Sequence, residues 1–275
     1  MFRILSNTPI APKLHRLVIS APRIAGHRHP GQFVIVHADT GAERIPLTIA
    51  DADVRQGTIT LFVQAVGYST SRLVNMPAGA SLRDVTGPLG HPTHIETWGR
   101  VTCIGGGVGT AVLYPMAKAL AAADNRVTAL IGGRSAPLII LADAFEAFCD
   151  EVLITTEDGS LGHKGFVTTV LDRQLRNPET RPQAVFAAGP VPMMRTVAGM
   201  TRPYGVRTTV SLNPIMIDGT GMCGGCRVMV DGEIKFACVD GPEFDGHKVD
   251  FDLLADRLTT YREEECRMLK RLEEG

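Results

Sequence analysis

The chain has 275 residues, 28 Lys+Arg against 29 Asp+Glu for a formal net charge of −1, 44% hydrophobic residues and 5% aromatic residues. That length suits about two domains with cores of their own, and the balanced charge and scarce rings give nucleic acid neither an electrostatic footprint nor a stacking ladder. The first residues turn polar too soon for a signal-peptide core and no apolar run reaches the roughly 18 residues of a membrane span, so the expected location is the cytoplasm, with no membrane partner.

Residues 1–97 read as β structure: the apolar runs Leu14–Ile19, Gln32–Val36 and Thr58–Val63 alternate or run continuously between Gly and Pro turns, and only a short helix after Gly67 is suggested. An antiparallel barrel is the economical arrangement, because closing a sheet removes its unpaired edges. From residue 98 to 212 the texture becomes an alternation. Strands are expected at Val101–Ile104, Val127–Ile131, Val152–Thr155, Ala184–Ala187 and Arg207–Ser211, with helices between them, which argues a doubly wound parallel sheet. A Gly- and Cys-rich module at 213–249 and an amphipathic C-terminal helix at 250–275, with Leu254, Leu258, Tyr261, Met268, Leu269 and Leu272 on one face, complete the expected organisation.

In the first region Arg44-Ile45-Pro46-Leu47-Thr48 offers a guanidinium fork for a phosphate, and Val66-Gly67 with Ser69 and Thr70 offers hydroxyls and amides for a second anion contact. Taken alone, these are an ordinary surface Arg and a turn. In the second region Gly105-Gly106-Gly107-Val108-Gly109-Thr110 joins a strand to a helix, where small residues admit a pyrophosphate and the helix start supplies free N–H groups. The run departs from G-x-G-x-x-G, and no acidic residue ends the following strand. Gly132-Gly133-Arg134-Ser135 stands there instead, leaving NAD against NADP open and Arg134 open between ribose, 2′-phosphate and plain surface charge. Gly189-Pro190 follows a strand at its ligand-binding end, with Met193 and Met194 after it read as core residues.

Three of the six cysteines crowd into the third region, where Asp218, Cys223, Cys226 and Cys238 form the pattern D-x4-C-x2-C-x11-C. The plant-type [2Fe–2S] spacing is C-x4-C-x2-C followed by a distant Cys, so Asp218 occupies its first ligand position. Tetrahedral zinc competes for such ligands, but the density of Gly favours a cluster, since small residues let backbone N–H groups close over inorganic sulfide. Asp218 is read as the fourth ligand or as a turn residue at the mouth of the loop, while Cys103, Cys149 and Cys266 fall outside the spacing and read as incidental thiols.

In this order the three constellations resemble the ferredoxin–NADP reductase superfamily with a C-terminal [2Fe–2S] module added. More narrowly they resemble the small subunits of NADH-dependent ferredoxin:NADP oxidoreductases and, beside them, the electron-transfer subunits of dihydroorotate dehydrogenases. Asp at position 218 matches the former, the latter carrying Cys there. The resemblance implies FAD on the barrel, with Arg44 at its pyrophosphate, Pro46, Leu47 and Thr48 along its ring and Val66, Gly67, Ser69 and Thr70 at its phosphates. It implies NAD(H) on Gly106, Gly107, Val108, Gly109, Thr110 and Arg134 with the nicotinamide near Gly189 and Pro190, and a [2Fe–2S] cluster on Asp218, Cys223, Cys226 and Cys238. It further implies an electron-bifurcating complex with a larger subunit of glutamate-synthase small-chain type, bearing flavin and [4Fe–4S] clusters, through which ferredoxin is served. The alternative it carries is the electron-transfer subunit of a dihydroorotate dehydrogenase or of another oxidoreductase complex.

Overall fold

The computed structural model describes residues 2–274, the side chains of 269–274 excepted, so that Leu269 and Leu272 of the expected helical face lie outside the described residues. Antiparallel strands of the first region form two sheets around one core. The larger runs Asp51–Asp53, Thr58–Gln64, Leu14–Ser20, Phe2–Ala11, Ser81–Leu82, and the smaller Arg44–Thr48, Phe33–His37, Asp84–Leu89. Alternation places Leu17, Ile19, Ile59, Leu61 and Val63 inward, fully buried, against Val34 and Val36 of the smaller sheet. The chain turns the corner between the sheets at Ile49-Ala50, whose amides bond to the carbonyls of Gln32 and Thr60. On the strand Arg44–Thr48, Ile45 and Leu47 pack against this core, so period 2 puts Arg44, Pro46 and Thr48 on the opposite face.

The second sheet has the order His163–Lys164, Glu151–Thr156, Arg126–Gly133, Arg100–Gly106, Ala184–Ala188, Arg207–Ser211, Glu243–Asp245, all parallel except the last. Its strands are buried on both faces. Val101 and Cys103 meet the helix Gly109–Ala122 through Leu113, Met116 and Leu120, while Ile104 and Val185 meet the helices Val167–Arg176 and Val191–Thr201 on the other side. The order reverses on either side of the strand Arg100–Gly106, which creates a crevice at the carboxyl ends of that strand and of Ala184–Ala188.

A hairpin of Arg227–Val230 and Glu233–Phe236, turned at Asp231-Gly232 with both residues at positive φ, carries the third region. The strand Glu243–Asp245 then ties it back to Arg207–Ser211. The tail is two helices rather than one, Phe251–Arg257 and Arg262–Glu274. Asp250 caps the first, accepting the Leu253 amide at 2.9 Å, and Phe251 and Leu254 are its buried face. Past its end the hydroxyls of Thr259 and Thr260 bond to the carbonyls of Asp256 and Arg257, satisfying groups that the end of the helix leaves open. No helix among the described residues is long and apolar enough to cross a membrane.

Candidate functional site

A cleft of about 1070 Å³ opens where the barrel meets the parallel sheet, and it gathers Pro46, Leu47, Thr48 and Val66 from one side and Gly106, Gly107, Val108, Gly109, Arg134, Gly189 and Pro190 from the other. The sheet wall is shaped by close approach. A Cβ on Gly109 would strike the carbonyl of Ala188, and one on Gly106 would come within 2.7 Å of the Met193 sulfur and 2.9 Å of the Pro190 ring, so the run lies against the Ala188–Pro190 turn only because Gly106 and Gly109 carry no side chain. The helix Gly109–Ala122 begins with no side chain capping it; the amides of Thr110 and Ala111 turn back onto the carbonyls of Gly107 and Val108 at 3.1 and 3.0 Å, so a ligand would meet the amides of Val108 and Gly109. Under the run, the Thr110 hydroxyl is buried with no hydrogen-bond partner, and so is that of Thr155, which lines the same cleft. Two orphaned hydroxyls beside a bare helix start are the mark of a polar ligand's place. Of the two methionines read as core, Met194 is buried, whereas Met193 lines the cleft.

The remaining barrel residues of the expected set lie beside this cleft rather than in its walls. The Ser69 hydroxyl accepts the Glu43 amide at 2.8 Å, and the Thr70 hydroxyl accepts the amides of Val66 and Gly67 at 3.1 and 3.0 Å, so both are engaged in starting the helix Tyr68–Val74. Arg44 reaches across to the third region: its Nε donates to the Ile217 carbonyl at 3.0 Å, while its terminal nitrogens reach Asp84 at 3.5 Å and Thr86 at 3.4 Å. The guanidinium is thereby held at the joint between the barrel and the residue just before Asp218.

In the cysteine loop the Asp218 carboxylate accepts the Thr220 hydroxyl at 2.5 Å and the amides of Thr220, Met222 and Cys223 at 3.1–3.3 Å. These bonds, the hydroxyl first, hold it below the usual carboxylate range. Cys226 and Cys238 are buried, the Cys238 amide donating to the Cys226 sulfur at 3.4 Å, and burial together with that neighbouring thiol pushes Cys238 up to about 12. Cys223 is exposed, its sulfur accepting the Gly225 amide at 3.4 Å. Among the described residues no three His, Cys, Asp or Glu side chains converge as a finished ion site. The donor set nevertheless fits an iron–sulfur centre: three thiols and one carboxylate on a loop whose amides already turn toward anionic atoms.

Sequence reading missed Glu157, Phe166 and Asn213 in the cleft wall, and Glu243 behind it. Glu157 follows the strand Glu151–Thr156 at the same end as the glycine run, so its strand-end place was the available signal. Glu243 accepts the Thr93 hydroxyl at 2.6 Å, and burial raises its pKa to about 7 despite that bond. No local pattern marks it.

With this geometry established, comparison with known proteins gives a consistent set of relatives. A family model described as the iron–sulfur cluster binding domain of dihydroorotate dehydrogenase B matches residues 213–250. The chain is 46% identical to a dihydroorotate dehydrogenase B (NAD(+)) electron transfer subunit homolog of Thermotoga maritima, over 95% of this chain and 92% of that one. To the electron transfer subunit of dihydroorotate dehydrogenase B of Geobacillus thermodenitrificans it is 32% identical, over 88% and 94%. Among solved structures, one of an NADH-dependent reduced ferredoxin–NADP oxidoreductase, solved for insight into flavin-based electron bifurcation, superposes with a TM-score of 0.93 at 44% identity, over 99% of this chain and 98% of that one. Phthalate dioxygenase reductase, at 17% identity with a TM-score of 0.59 over 83% and 85%, shares the fold.

Proposed function

The chain belongs to the family of the electron-transfer subunits of dihydroorotate dehydrogenase B, and we propose that within it the chain is the small subunit of an electron-bifurcating, NADH-dependent ferredoxin:NADP oxidoreductase. The observation that carries the reading is the joint described above: a cleft walled by the barrel strand Arg44–Thr48 and the bare helix start at Gly109, with Arg44 bonded to the carbonyl that precedes Asp218. Hydride exchange with NAD(H) and single-electron exchange are the chemistry that FAD and a [2Fe–2S] cluster supply in such an arrangement.

The chain's own work is alignment. Pro46 and Thr48, with the backbone of Leu47 between them, would line one side of a flavin ring, and Arg44, with Val66, Gly67, Ser69 and Thr70, would flank its phosphates. Gly106–Thr110 would receive the pyrophosphate of a nicotinamide nucleotide, with the amides of Val108 and Gly109 turned to it, since those of Gly107 and Thr110 donate to the carbonyls of Gly132 and Gly107. The Gly189-Pro190 turn, packed against Gly106, would take the nicotinamide end. Cys223, Cys226, Cys238 and Asp218 hold the cluster, and the Gly221 and Gly225 amides face Cys238 and Cys223.

The likeness over nearly the whole of both chains to the bifurcating oxidoreductase, together with the carboxylate at 218, favours this assembly over a dihydroorotate dehydrogenase one. The partner in this reading is a larger subunit of glutamate-synthase small-chain type with flavin and [4Fe–4S] clusters, working in the cytoplasm and serving ferredoxin. Anaerobic isolation of the native complex tests it. A second flavin subunit that reduces ferredoxin is the expected companion, and a dihydroorotate-oxidising companion overturns the assignment.

A further inference from the structure

The walls of the cleft carry two ionisable side chains of opposite sign, Arg134 and Glu157, among the described residues. They stand side by side, because the Glu157 amide donates to the Gly133 carbonyl at 3.1 Å and the Asp158 amide to the Arg134 carbonyl at 3.2 Å, joining the ends of adjacent parallel strands. Neither side chain makes a hydrogen bond or ion pair within the described residues, whereas the neighbouring Asp158 carboxylate is turned onto the amide and hydroxyl of Ser160 at 2.9 and 2.6 Å. Glu157 is thus the free carboxylate at this end of the cleft.

Strand order fixes which part of a dinucleotide would meet it. Gly106–Gly109 end the central strand, Gly189-Pro190 end its neighbour on one side, and Arg134 and Glu157 end the next two strands on the other. A nucleotide with its pyrophosphate on the glycine run and its nicotinamide at Gly189-Pro190 therefore lays its adenosine toward Arg134 and Glu157. Phe166, 62% exposed and in the same wall, offers a face for the adenine. In doubly wound sites the acid that reads the ribose ends the second strand, but here Gly133-Arg134 occupies that place. The carboxylate arrives instead from the third strand.

Resting on the nucleotide reading above, we infer that Glu157 is the residue that selects NAD(H) over NADP(H), its carboxylate accepting the adenosine-ribose hydroxyls. The physical contrast is simple. A ribose diol brings two O–H donors to an acceptor with free lone pairs, while a 2′-phosphate brings a dianion to a carboxylate, with the single guanidinium of Arg134 as its only cationic partner in the wall. Sites that accommodate a 2′-phosphate do so with a nearby Arg, whose charge an adjacent free carboxylate offsets.

The test uses the full, FAD-loaded chain in its oxidised state, titrated calorimetrically with NAD⁺ and with NADP⁺ so that no electron transfer intrudes. Wild type is expected to bind NAD⁺ at least about tenfold tighter than NADP⁺, Glu157→Gln to lose most of that ratio, and Glu157→Arg to bring NADP⁺ level with or ahead of NAD⁺. Because Glu157 is exposed and bonded only through its backbone, both variants should retain FAD and the wild-type circular dichroism. A wild-type preference for NADP⁺, or an unchanged ratio in both variants, overturns the inference. Wild type that binds neither nucleotide overturns the nucleotide reading itself and this inference with it.

Discussion

The molecule has two glycine-rich loops, 105–110 and 218–226, and they use glycine in different proportions: close approach dominates in the first, where Gly107 alone sits at positive φ (+55°), and positive φ dominates in the second, where a Cβ on Gly219 would also strike Ile35 and Leu89. In the first, Gly105 and Gly109 are buried, and a Cβ would collide with Thr110 or with the Ala188 carbonyl, so the absent side chain lets two backbones touch. In the second, Gly219, Gly221 and Gly224 sit at φ +83°, +86° and +65°, so the left-handed backbone is what is required, and it turns successive amides toward Asp218 and the cysteine sulfurs. The first loop makes a tight wall, which in the proposed reading serves a nucleotide that comes and goes. The second makes a polar nest for a group that stays. Residue composition alone does not separate the two devices; the neighbours of each glycine do.

The largest effect that sharpens this contrast is expected from Cys226→Ser. It should remove the iron completely while NADH still bleaches the flavin, which metal analysis and stopped-flow absorbance would show together; full iron occupancy would break the assignment of the second loop. Next comes the strand that anchors that loop to the sheet. Glu243 keeps its proton to about pH 7 in the folded chain, whereas an unfolded Glu releases it near 4.5. The wild type should therefore lose stability relative to Glu243→Gln as pH rises from 5 to 8, by at most about 3 kcal/mol, readable from denaturant midpoints at the two pH values. The smallest change is Gly109→Ala, expected to cost about 2 kcal/mol of stability by overpacking against Ala188 and to weaken NAD⁺ binding, with iron content unchanged. Loss of iron in that variant would mean that the two loops are not separate devices.

Much of this was legible in the chain. Period-2 alternation marked Thr58–Gln64 and Leu14–Ser20 as half-buried strands, and the strand-turn-helix texture around Gly105–Thr110 marked a parallel sheet, because each pattern reflects which face must leave water. The ligand spacing of the cysteine loop was equally local. What stayed hidden depends on contacts distant in sequence. Arg44 bonds to a carbonyl 173 residues away, Glu243 meets Thr93 150 residues away, and Glu157 acquires meaning only when its strand lies two places from the glycine run. The break in the tail was missed for the reverse reason. The apolar face continues across Thr259-Thr260, and the hydroxyl bonds past the end of the helix leave no mark on hydrophobic periodicity.

In the proposed reading one chain binds a flavin on the barrel and an iron–sulfur cluster in the cysteine loop, with Arg44 at the joint, and accepts hydride from NADH in the cleft between barrel and parallel sheet. Its most direct test is anaerobic purification followed by flavin, iron, zinc and acid-labile sulfide analysis, and then titration with NADH. The account predicts FAD stoichiometric with the chain, iron and sulfide in equal amounts, and complete bleaching of the flavin by NADH. Zinc in the cysteine loop with no flavin on the barrel would contradict it.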